Sequence, residues 1–228
     1  MTAKILVVDD EPDLEVLIRQ RFRQQVKEGR YELLFARNGV EALELVDNTP
    51  LLDLIVTDLN MPEMDGLALL SRLGEREAPL KSIIVSAYDD MQNIRAAMNR
   101  GAFDFITKPI DFQDLEITIE KTLREVSRLR EGLSAREHLA AVRNELEVAA
   151  RIQQAILPKS IPPALAENGI EIVADMLPAH HIGGDWYDYF ISKEGWLGLI
   201  VGDVSGKGVP AALLMAIARS MIKGTALT

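Results

Sequence analysis

The chain has 228 residues, 48% of them apolar and 26% charged, a composition typical of a soluble globular protein with one large or two small domains. The formal net charge of −10 comes without a basic stripe, which argues against nucleic acid as a partner. There is no cysteine, so disulfides and thiolate metal sites are excluded. Neither a secretory signal nor an apolar run long enough to span a bilayer is visible, so we expect a cytoplasmic protein without a membrane partner.

Short apolar runs in the first half of the chain predict buried β-strands. They are KILVV (4–8), YELLFA (31–36), DLIVT (53–57), SIIVS (82–86) and DFIT (104–107). Helical patterns separate them, at 13–27, 40–46, 67–73 and 90–100. Strands that alternate with helices form parallel sheets covered on both faces. The sequence therefore predicts an α/β fold with a five-stranded, parallel, doubly wound sheet over residues 1–125.

Polar side chains follow the strands at the edge where such sheets bind ligands. Acids come after the first and third strands, a hydroxyl after the fourth, and a lysine after the fifth: Asp9, Asp10, Glu11, Asp58, Ser86 and Lys108. Converging carboxylates repel one another unless a cation neutralises them, and a few oxygen ligands suit Mg²⁺. A hydroxyl and an ammonium suit the oxygens of a phosphoryl group. Helix capping by these aspartates is the alternative, and it accounts for one or two of them only.

The first 125 residues resemble the receiver domain of two-component response regulators. The segments VVDDEP, TDLNMPEMDG, VSAYDD and FDFITKPI follow the signatures of that family in order and spacing. The resemblance implies that Asp58 accepts a phosphoryl group from a sensor histidine kinase. It also implies that Mg²⁺ is held by Asp9, Asp10 and Asp58 and by the backbone carbonyl of Asn60.

The same resemblance implies a switch that reads the phosphoryl group. Ser86 is expected to bind the phosphoryl oxygens and Lys108 to pair with them, next to a cis Lys108-Pro109 peptide bond. Phe105 occupies the position of the switch aromatic, and a plain core role is its alternative. The added charge is expected to pull Ser86 inward and to bias a surface between Ile94 and Phe105.

A long helical pattern follows, from Asp111 to Leu157, without an internal proline. If continuous, it would reach roughly 70 Å at 1.5 Å per residue. Its apolar residues form two stripes that are out of phase near Gly132: Ile119, Val126, Leu129 and Leu133, then Leu139, Val142, Leu146, Ala149 and Ile156. We interpret residues 126–157 as a coiled-coil linker that pairs two copies in a parallel homodimer, with only the first two turns lying on their own domain.

The remainder, residues 158–228, reads as an incomplete α+β domain. IEIVADM (170–176) predicts a strand, and WYDYFIS (186–192) and WLGLIVGDV (196–204) flank the hairpin signal Lys193-Glu194-Gly195. The apolar helix predicted at 209–222 should be buried on most sides. Two strands and one helix do not make a core of their own, so we expect a fragment. Asp185, in HIGGDWYD, and Asp203, in GDVSGKGVPA, are expected to face each other across a shared metal, whereas Asp188 is expected at the surface.

This tail, from about residue 145, resembles the amino-terminal part of the metal-dependent (PPM) protein serine/threonine phosphatases of the sigma-factor-regulating and sporulation branch. The resemblance implies that Asp185 bridges two Mn²⁺ or Mg²⁺ ions, and that Asp203 and the carbonyl of Val204 hold one of them. Substrates would be phosphoserine proteins such as anti-sigma-factor antagonists. The remaining aspartate ligands of that family fall beyond Thr228, so we expect little turnover from these residues. Two alternatives stay open: a receiver-linked diguanylate cyclase, suggested by the GGD motif, and a catalytically silent interaction fragment.

Overall fold

The computed structural model describes residues 2–76, 79–87, 90–160, 163–177, 181–192 and 194–226. The chain divides into two compact units, residues 1–134 and 135–228, and the division lies inside one long helix. The predicted domain boundaries at 125/126 and 157/158 stay predictions.

The first unit alternates strands and helices, as its apolar runs predict. The strands are β1 (Ala3–Val8), β2 (Tyr31–Ala36), β3 (Leu54–Asp58), β4 (Lys81–Ala87) and β5 (Asp104–Lys108). The helices between them are α1 (Pro12–Arg21), α2 (Arg23–Lys27), α3 (Gly39–Asn48), α4 (Gly66–Gly74) and α5 (Met91–Asn99). The single helix expected at 13–27 is thus divided at Phe22, whose side chain is buried against Tyr31 with ring centroids 5.9 Å apart.

All five strands are parallel and lie in the order β2-β1-β3-β4-β5, which confirms the predicted sheet. One face carries a core built on Ile5, Val7, Leu54 and Val56, and the other a core built on Leu6, Val8 and Ile55. Adjacent residues of one strand thus enter opposite cores, because side chains alternate across a strand. The strand order reverses between β1 and β3, and this places the ligand-binding crevice at the carboxyl ends of those two strands.

Helix α6 runs from Phe112 to Ile156. Its contacts with the first unit extend well past the first two turns, so that expectation was wrong. Leu115 and Ile119 join the sheet core, and Arg130 bonds to the carboxylate of Asp53 and, at 3.0 Å, to the carbonyl of Leu52.

The first apolar stripe is therefore not a free dimer seam. Ile119 and Val126 are buried within the single chain, while Leu129 and Leu133 are exposed. Ile119 packs into the core of the sheet, and Val126 is buried as well, so these two side chains are not available to a partner helix. Leu139, at the start of the second stripe, is 70% exposed and Val142 is also exposed.

The second unit contains the carboxyl-terminal part of α6, α7 (Pro163–Glu167), β6 (Trp186–Ile191), β7 (Leu197–Gly202) and α8 (Val209–Ala226). Strands β6 and β7 pair antiparallel, as the hairpin signal predicts. The turn is closed by a bond from the Ser192 amide to the Trp196 carbonyl, and Gly195 adopts a φ of 86° that favours glycine. Lys193 of that turn lies outside the described residues.

Three expectations for this unit were wrong. Residues 170–176 form no strand, since β6 and β7 pair with each other and no third described strand lies beside them to satisfy its backbone. Asp188 is buried and does not lie at the surface. Its charge is balanced by ion pairs with Arg219 (2.7 Å) and Lys223 (3.2 Å) of α8. Helix α8 buries chiefly Ala211 and Met215, the latter against Leu157 and Trp186.

The other apolar side chains of α8 are largely in solvent, among them Leu213 (61%) and Met221 (68%). The prediction of burial on most sides assumed a packed layer over each face of the helix. The described part of this unit supplies that layer on one face alone. No helix in the described ranges is both long and apolar enough to cross a bilayer.

Candidate functional site

The carboxyl ends of β1 and β3 bring three carboxylates together. Asp9 and Asp10 directly follow β1, and Asp58 is the last residue of β3. One oxygen from each of the three lies within 4.8 Å of the others. Asp9 and Asp58 are buried and Asp10 is exposed. The backbone orients two of these acids, since the Glu11 amide donates to Asp9 Oδ1 at 2.8 Å and the Leu59 amide to Asp58 Oδ1 at 2.7 Å.

Lys108 supplies the opposing charge from the end of β5. Its Nζ lies 2.9 Å from Asp58 Oδ2, 3.3 Å from Asp9 Oδ2 and 3.2 Å from Glu11 Oε1. The following peptide bond, Lys108-Pro109, is cis, as expected. Sequence reasoning noted Glu11 among the acids after β1 but gave it no role. Its position next to Asp10 was the available signal.

The site perturbs the pKa of two of its groups. Burial raises the pKa of Asp9 above its ordinary value, and the nearby charge of Asp58 adds to the rise against the opposing effect of Lys108. Burial acts to lower the pKa of Lys108, but its hydrogen bond to Asp58 and the charges of Asp58 and Asp9 outweigh this and raise it. Lys108 therefore stays cationic, and the ionised form of Asp9 is less favoured than that of a free carboxyl.

Such a donor set fits a small hard cation. All the offered atoms are carboxylate oxygens, which Mg²⁺ prefers, and two of the carboxylates are buried at a distance where like charges repel. Asp9, Asp10 and Asp58 would hold the ion, and Asn60 lies exposed two residues after Asp58.

The remaining predicted residues lie around this edge. Ser86 is fully buried near the end of β4, where Asp58 pairs with Val85, and its hydroxyl donates to Asp90 Oδ2 at 3.5 Å. Phe105 is 37% exposed on β5, so the alternative that it is simply a core residue was wrong. The Tyr88-Asp89 pair of the VSAYDD motif lies outside the described residues.

Gly66 packs directly under the acidic edge. A Cβ at this position would lie 2.3 Å from the carbonyl oxygen of Asp58 and 2.9 Å from Leu59 Cα. The Gly66 amide also donates to the Leu59 carbonyl at 3.0 Å. Helix α4 thus begins in contact with the backbone that carries Asp58, and only glycine leaves that room.

In the second unit the hairpin register aligns the two acid motifs. Trp186 pairs with Gly202, so continuing the antiparallel register by one residue sets Asp185 opposite Asp203. Residues directly opposite in such a pair have Cβ atoms about 5 Å apart. Both acids are exposed.

One residue further, the backbone of Val204 closes on Gly184. The Val204 amide donates to the Gly184 carbonyl at 3.3 Å, which continues the same register past Asp185 and Asp203. A Cβ on Gly184 would come within 2.4 Å of the Val204 carbonyl oxygen, so the close approach requires glycine. Two carboxylates at one sheet end are a partial oxygen-ligand set for a divalent cation.

A residue that sequence reasoning missed lies behind this pair. Gln153 of α6 is 4% exposed, and its side-chain amide bonds to both backbone groups of Gly183. Gln153 lies within the helical segment ELEVAARIQQAILP (145–158), but no spacing rule points from a helix glutamine to a loop 30 residues later.

A doubly wound sheet with carboxylates, a hydroxyl and a lysine at its carboxyl edge defines a class of phosphoacceptor α/β domains. Residues 5–120 match the family model of the response regulator receiver domain, and the chain belongs to that family. Proteins with receiver domains take the phosphoryl group from a histidine kinase and bind Mg²⁺ at acidic residues. Residues 193–228 match a second family model, that of stage II sporulation protein E.

Curated relatives match over about half of the chain. Sporulation initiation phosphotransferase F of Bacillus subtilis (strain 168) is 32% identical over 123 residues, covering 54% of this chain and 95% of that protein. Regulatory protein AtoC of Escherichia coli (strain K12) is 33% identical over 143 residues, covering 59% of this chain. The chain spans only 30% of the length of AtoC.

Solved structures agree on the fold of the first unit. The signal receiver domain of an HD domain-containing protein from Pseudomonas fluorescens Pf-5 aligns with a TM-score of 0.52 and 27% identity, over 57% of this chain and 93% of that chain. A response regulator receiver domain protein from Clostridium thermocellum aligns with a TM-score of 0.51 and 30% identity, over 56% and 98% of the two chains.

Proposed function

We propose that this chain is a response regulator in which phosphorylation of Asp58 controls a metal-dependent protein serine/threonine phosphatase. The observation that carries the first half is the convergence of Asp9, Asp10 and Asp58 within 4.8 Å, with Lys108 Nζ 2.9 Å from Asp58. A buried carboxylate beside two other acids and a fixed cation is suited to take up a phosphoryl group whose charge the site balances.

The transfer follows from these groups. A carboxylate oxygen of Asp58 attacks the phosphorus of a kinase phosphohistidine, the O–P bond forms as the P–N bond breaks, and the departing imidazole takes a proton from solvent. Asp9, Asp10 and Asp58, with the carbonyl of Asn60, would hold Mg²⁺, which would supply positive charge to the phosphoryl oxygens. Lys108 turns from Asp58 towards those oxygens.

Residues at the end of β4 and on β5 respond to the phosphoryl group. The Ser86 hydroxyl leaves Asp90 to donate to a phosphoryl oxygen, and Phe105 turns inward from its half-exposed position.

This half is tested by treating the chain with acetyl phosphate and Mg²⁺ and mapping the product by mass spectrometry. One phosphoryl group on Asp58 is expected, lost in Asp58→Asn and strongly reduced in Asp10→Asn or on chelation of Mg²⁺. Asp104→Asn is a matched control on β5, since Asp104 pairs with Lys121 rather than Lys108. Labelling of Asp58→Asn at the wild-type level would refute the assignment.

The phosphatase half is supported by the match of residues 193–228 to stage II sporulation protein E and by the register that sets Asp185 opposite Asp203. We assign Asp185, Asp203 and the Val204 carbonyl as ligands for Mn²⁺ or Mg²⁺, with a phosphoserine protein such as an anti-sigma-factor antagonist as substrate. Ions held by these residues would supply a nucleophile at neutral pH and would balance the charge of the phosphate.

Mn²⁺ binding tests this half without requiring turnover. In an Asp9→Asn/Asp10→Asn background, which removes two of the three receiver acids, electron paramagnetic resonance should show bound Mn²⁺ that is lost in Asp185→Asn and in Asp203→Asn. Asp175→Asn is the control, since Asp175 is exposed and lies outside the paired strands. Turnover of GTP in place of a phosphoserine peptide would favour the diguanylate cyclase. The absence of both Mn²⁺ binding and turnover would favour a silent interaction fragment.

We further propose that α6 joins two copies of the chain through Leu139, Val142 and the rest of the second stripe. Leu139 and Val142 are exposed in the single chain, where a partner helix would cover them. Light scattering with Mg²⁺, with and without beryllofluoride, should give the mass of a dimer. Leu139→Glu/Val142→Glu should give a monomer and Asn144→Glu, on the opposite face, a dimer. A monomeric wild type in both states would refute the seam.

A further inference from the structure

The side-chain amide of Gln153 replaces a missing backbone partner. Its Nε2 donates to the carbonyl of Gly183 at 2.6 Å, and its Oε1 accepts from the amide of the same residue at 3.2 Å. An amide side chain offers a donor and an acceptor in one plane, so it satisfies both groups of one peptide unit as a neighbouring strand would. At 4% exposed, Gln153 makes these bonds shielded from water.

Gly183, which Gln153 holds, begins a short backbone connection to the carboxylates of Asp185 and Asp203. Gly183 precedes Gly184, whose carbonyl accepts from the amide of Val204 at 3.3 Å. Asp185 follows Gly184 and Asp203 precedes Val204. The loop that carries Asp185 is thus fixed from one side by the last turns of α6 and from the other by the end of β7.

Neighbouring packing makes this path stiff. Gly184 has no room for a Cβ against the Val204 carbonyl, and Leu157, one turn after Gln153, packs with Trp186 and Met215. The helix end therefore contacts both sides of Asp185: Gln153 holds Gly183 before it, and Leu157 packs on Trp186 after it.

We propose that Gln153 is a positioning residue that sets the distance between Asp185 and Asp203, and so their grip on a divalent cation, according to the placement of α6. A rotation or shift of the last helical turns moves Gly183 directly, and Asp185 with it, while Asp203 stays anchored to β7. The use of this device for catalysis rests on the proposed phosphatase function; the positioning itself does not.

The test compares Gln153→Leu, which keeps the size of the side chain and removes both bonds, with Gln154→Leu, its exposed neighbour on the same helix. Gln153→Glu is a second variant that keeps the acceptor for the Gly183 amide and loses the donor to its carbonyl. Fluorescence of Trp186 and Trp196, both in the second unit, verifies that each variant is folded.

Two readouts are measured in the Asp9→Asn/Asp10→Asn background. Amide exchange at Gly183 and Val204 should accelerate about tenfold in Gln153→Leu, the loss expected for one or two hydrogen bonds, with β6 amides unchanged. Mn²⁺ affinity should fall roughly tenfold or more, as for lost supports of metal ligands. Gln153→Glu should fall between wild type and Gln153→Leu in both readouts, and Gln154→Leu should match wild type.

The outcomes distinguish the positioning role of Gln153 from the proposed metal site at Asp185 and Asp203. Equal exchange at Gly183 and Val204 in Gln153→Leu and Gln154→Leu overturns the positioning role, whatever Mn²⁺ does. Faster exchange with unchanged Mn²⁺ affinity overturns the link to Asp185. Faster exchange in a chain whose wild type binds no Mn²⁺ supports the positioning and refutes the proposed metal site instead.

Discussion

Replacing Gly66 by alanine tests whether the backbone of Asp58 is held by the start of α4. The new Cβ would lie 2.3 Å from the Asp58 carbonyl oxygen, about 1 Å closer than ordinary contact, and its neighbours are backbone atoms that have little freedom to move. Overpacking of this kind costs about 3 kcal/mol, the upper part of its usual range. A helical alanine recovers about 1 kcal/mol, so the free energy of unfolding should fall by about 2 kcal/mol.

For a unit that spans Met1–Ser134, an unfolding entropy of roughly 2.1 cal/mol/K per residue converts this loss into a melting temperature lower by about 7 °C. Far-UV circular dichroism follows the melt, and the acetyl phosphate assay should show slower labelling of Asp58 as its backbone shifts. Gly74→Ala is the matched control at the other end of α4, because a Cβ there meets only one atom, at 3.9 Å. A Gly66→Ala protein as stable and as reactive as Gly74→Ala would refute the reasoning.

Three further predictions address the helix, the core and the second unit. Arg130→Ala should lower the free energy of unfolding by about 2 kcal/mol, since a charge-assisted bond to Asp53 is lost, and Asp53→Asn should be non-additive with it in a denaturant titration. Burial raises the pKa of Tyr31 above its usual 10.0, so ionisation favours the unfolded chain. As pH rises past 10, the wild type should therefore lose stability relative to Tyr31→Phe. Parallel profiles of stability against pH for the two proteins would contradict this. Gly184→Ala should weaken Mn²⁺ binding by forcing Val204 away, and unchanged binding would count against the paired-acid site.

The receiver fold was predictable because its signals are local. Each buried strand is a continuous apolar run, and the acids that follow β1 and β3 mark the crevice in any parallel doubly wound sheet. The chemistry of Asp58 and Lys108 could be anticipated for the same reason, since strand ends fix which residues meet. The salt bridge from Lys108 to Glu11 needed the structure, because side-chain reach across an edge has no sequence period.

Sequence periodicity predicted contacts less reliably where the contacting residues are distant in the sequence. Ile119 and Val126 repeat as a coiled-coil seam does, but an apolar stripe also fits the face of the chain's own sheet, and the pattern does not distinguish these. Asp188 looked like a surface acid because the cations that allow its burial lie on α8, about 30 residues away. The segment 170–176 has the composition of a strand, but a strand also requires a neighbouring strand with unpaired backbone N–H and C=O groups.

The most direct test of the account asks whether a phosphoryl mimic at Asp58 is felt at the Asp185 loop. Hydrogen exchange would be measured on the whole chain with Mg²⁺, with and without beryllofluoride, and with Asp58→Ala as control. Altered exchange is expected around Phe105, along residues 131–152 of α6 and at Gly183, in the wild type alone. Changes confined to the receiver, or present equally in Asp58→Ala, would contradict it.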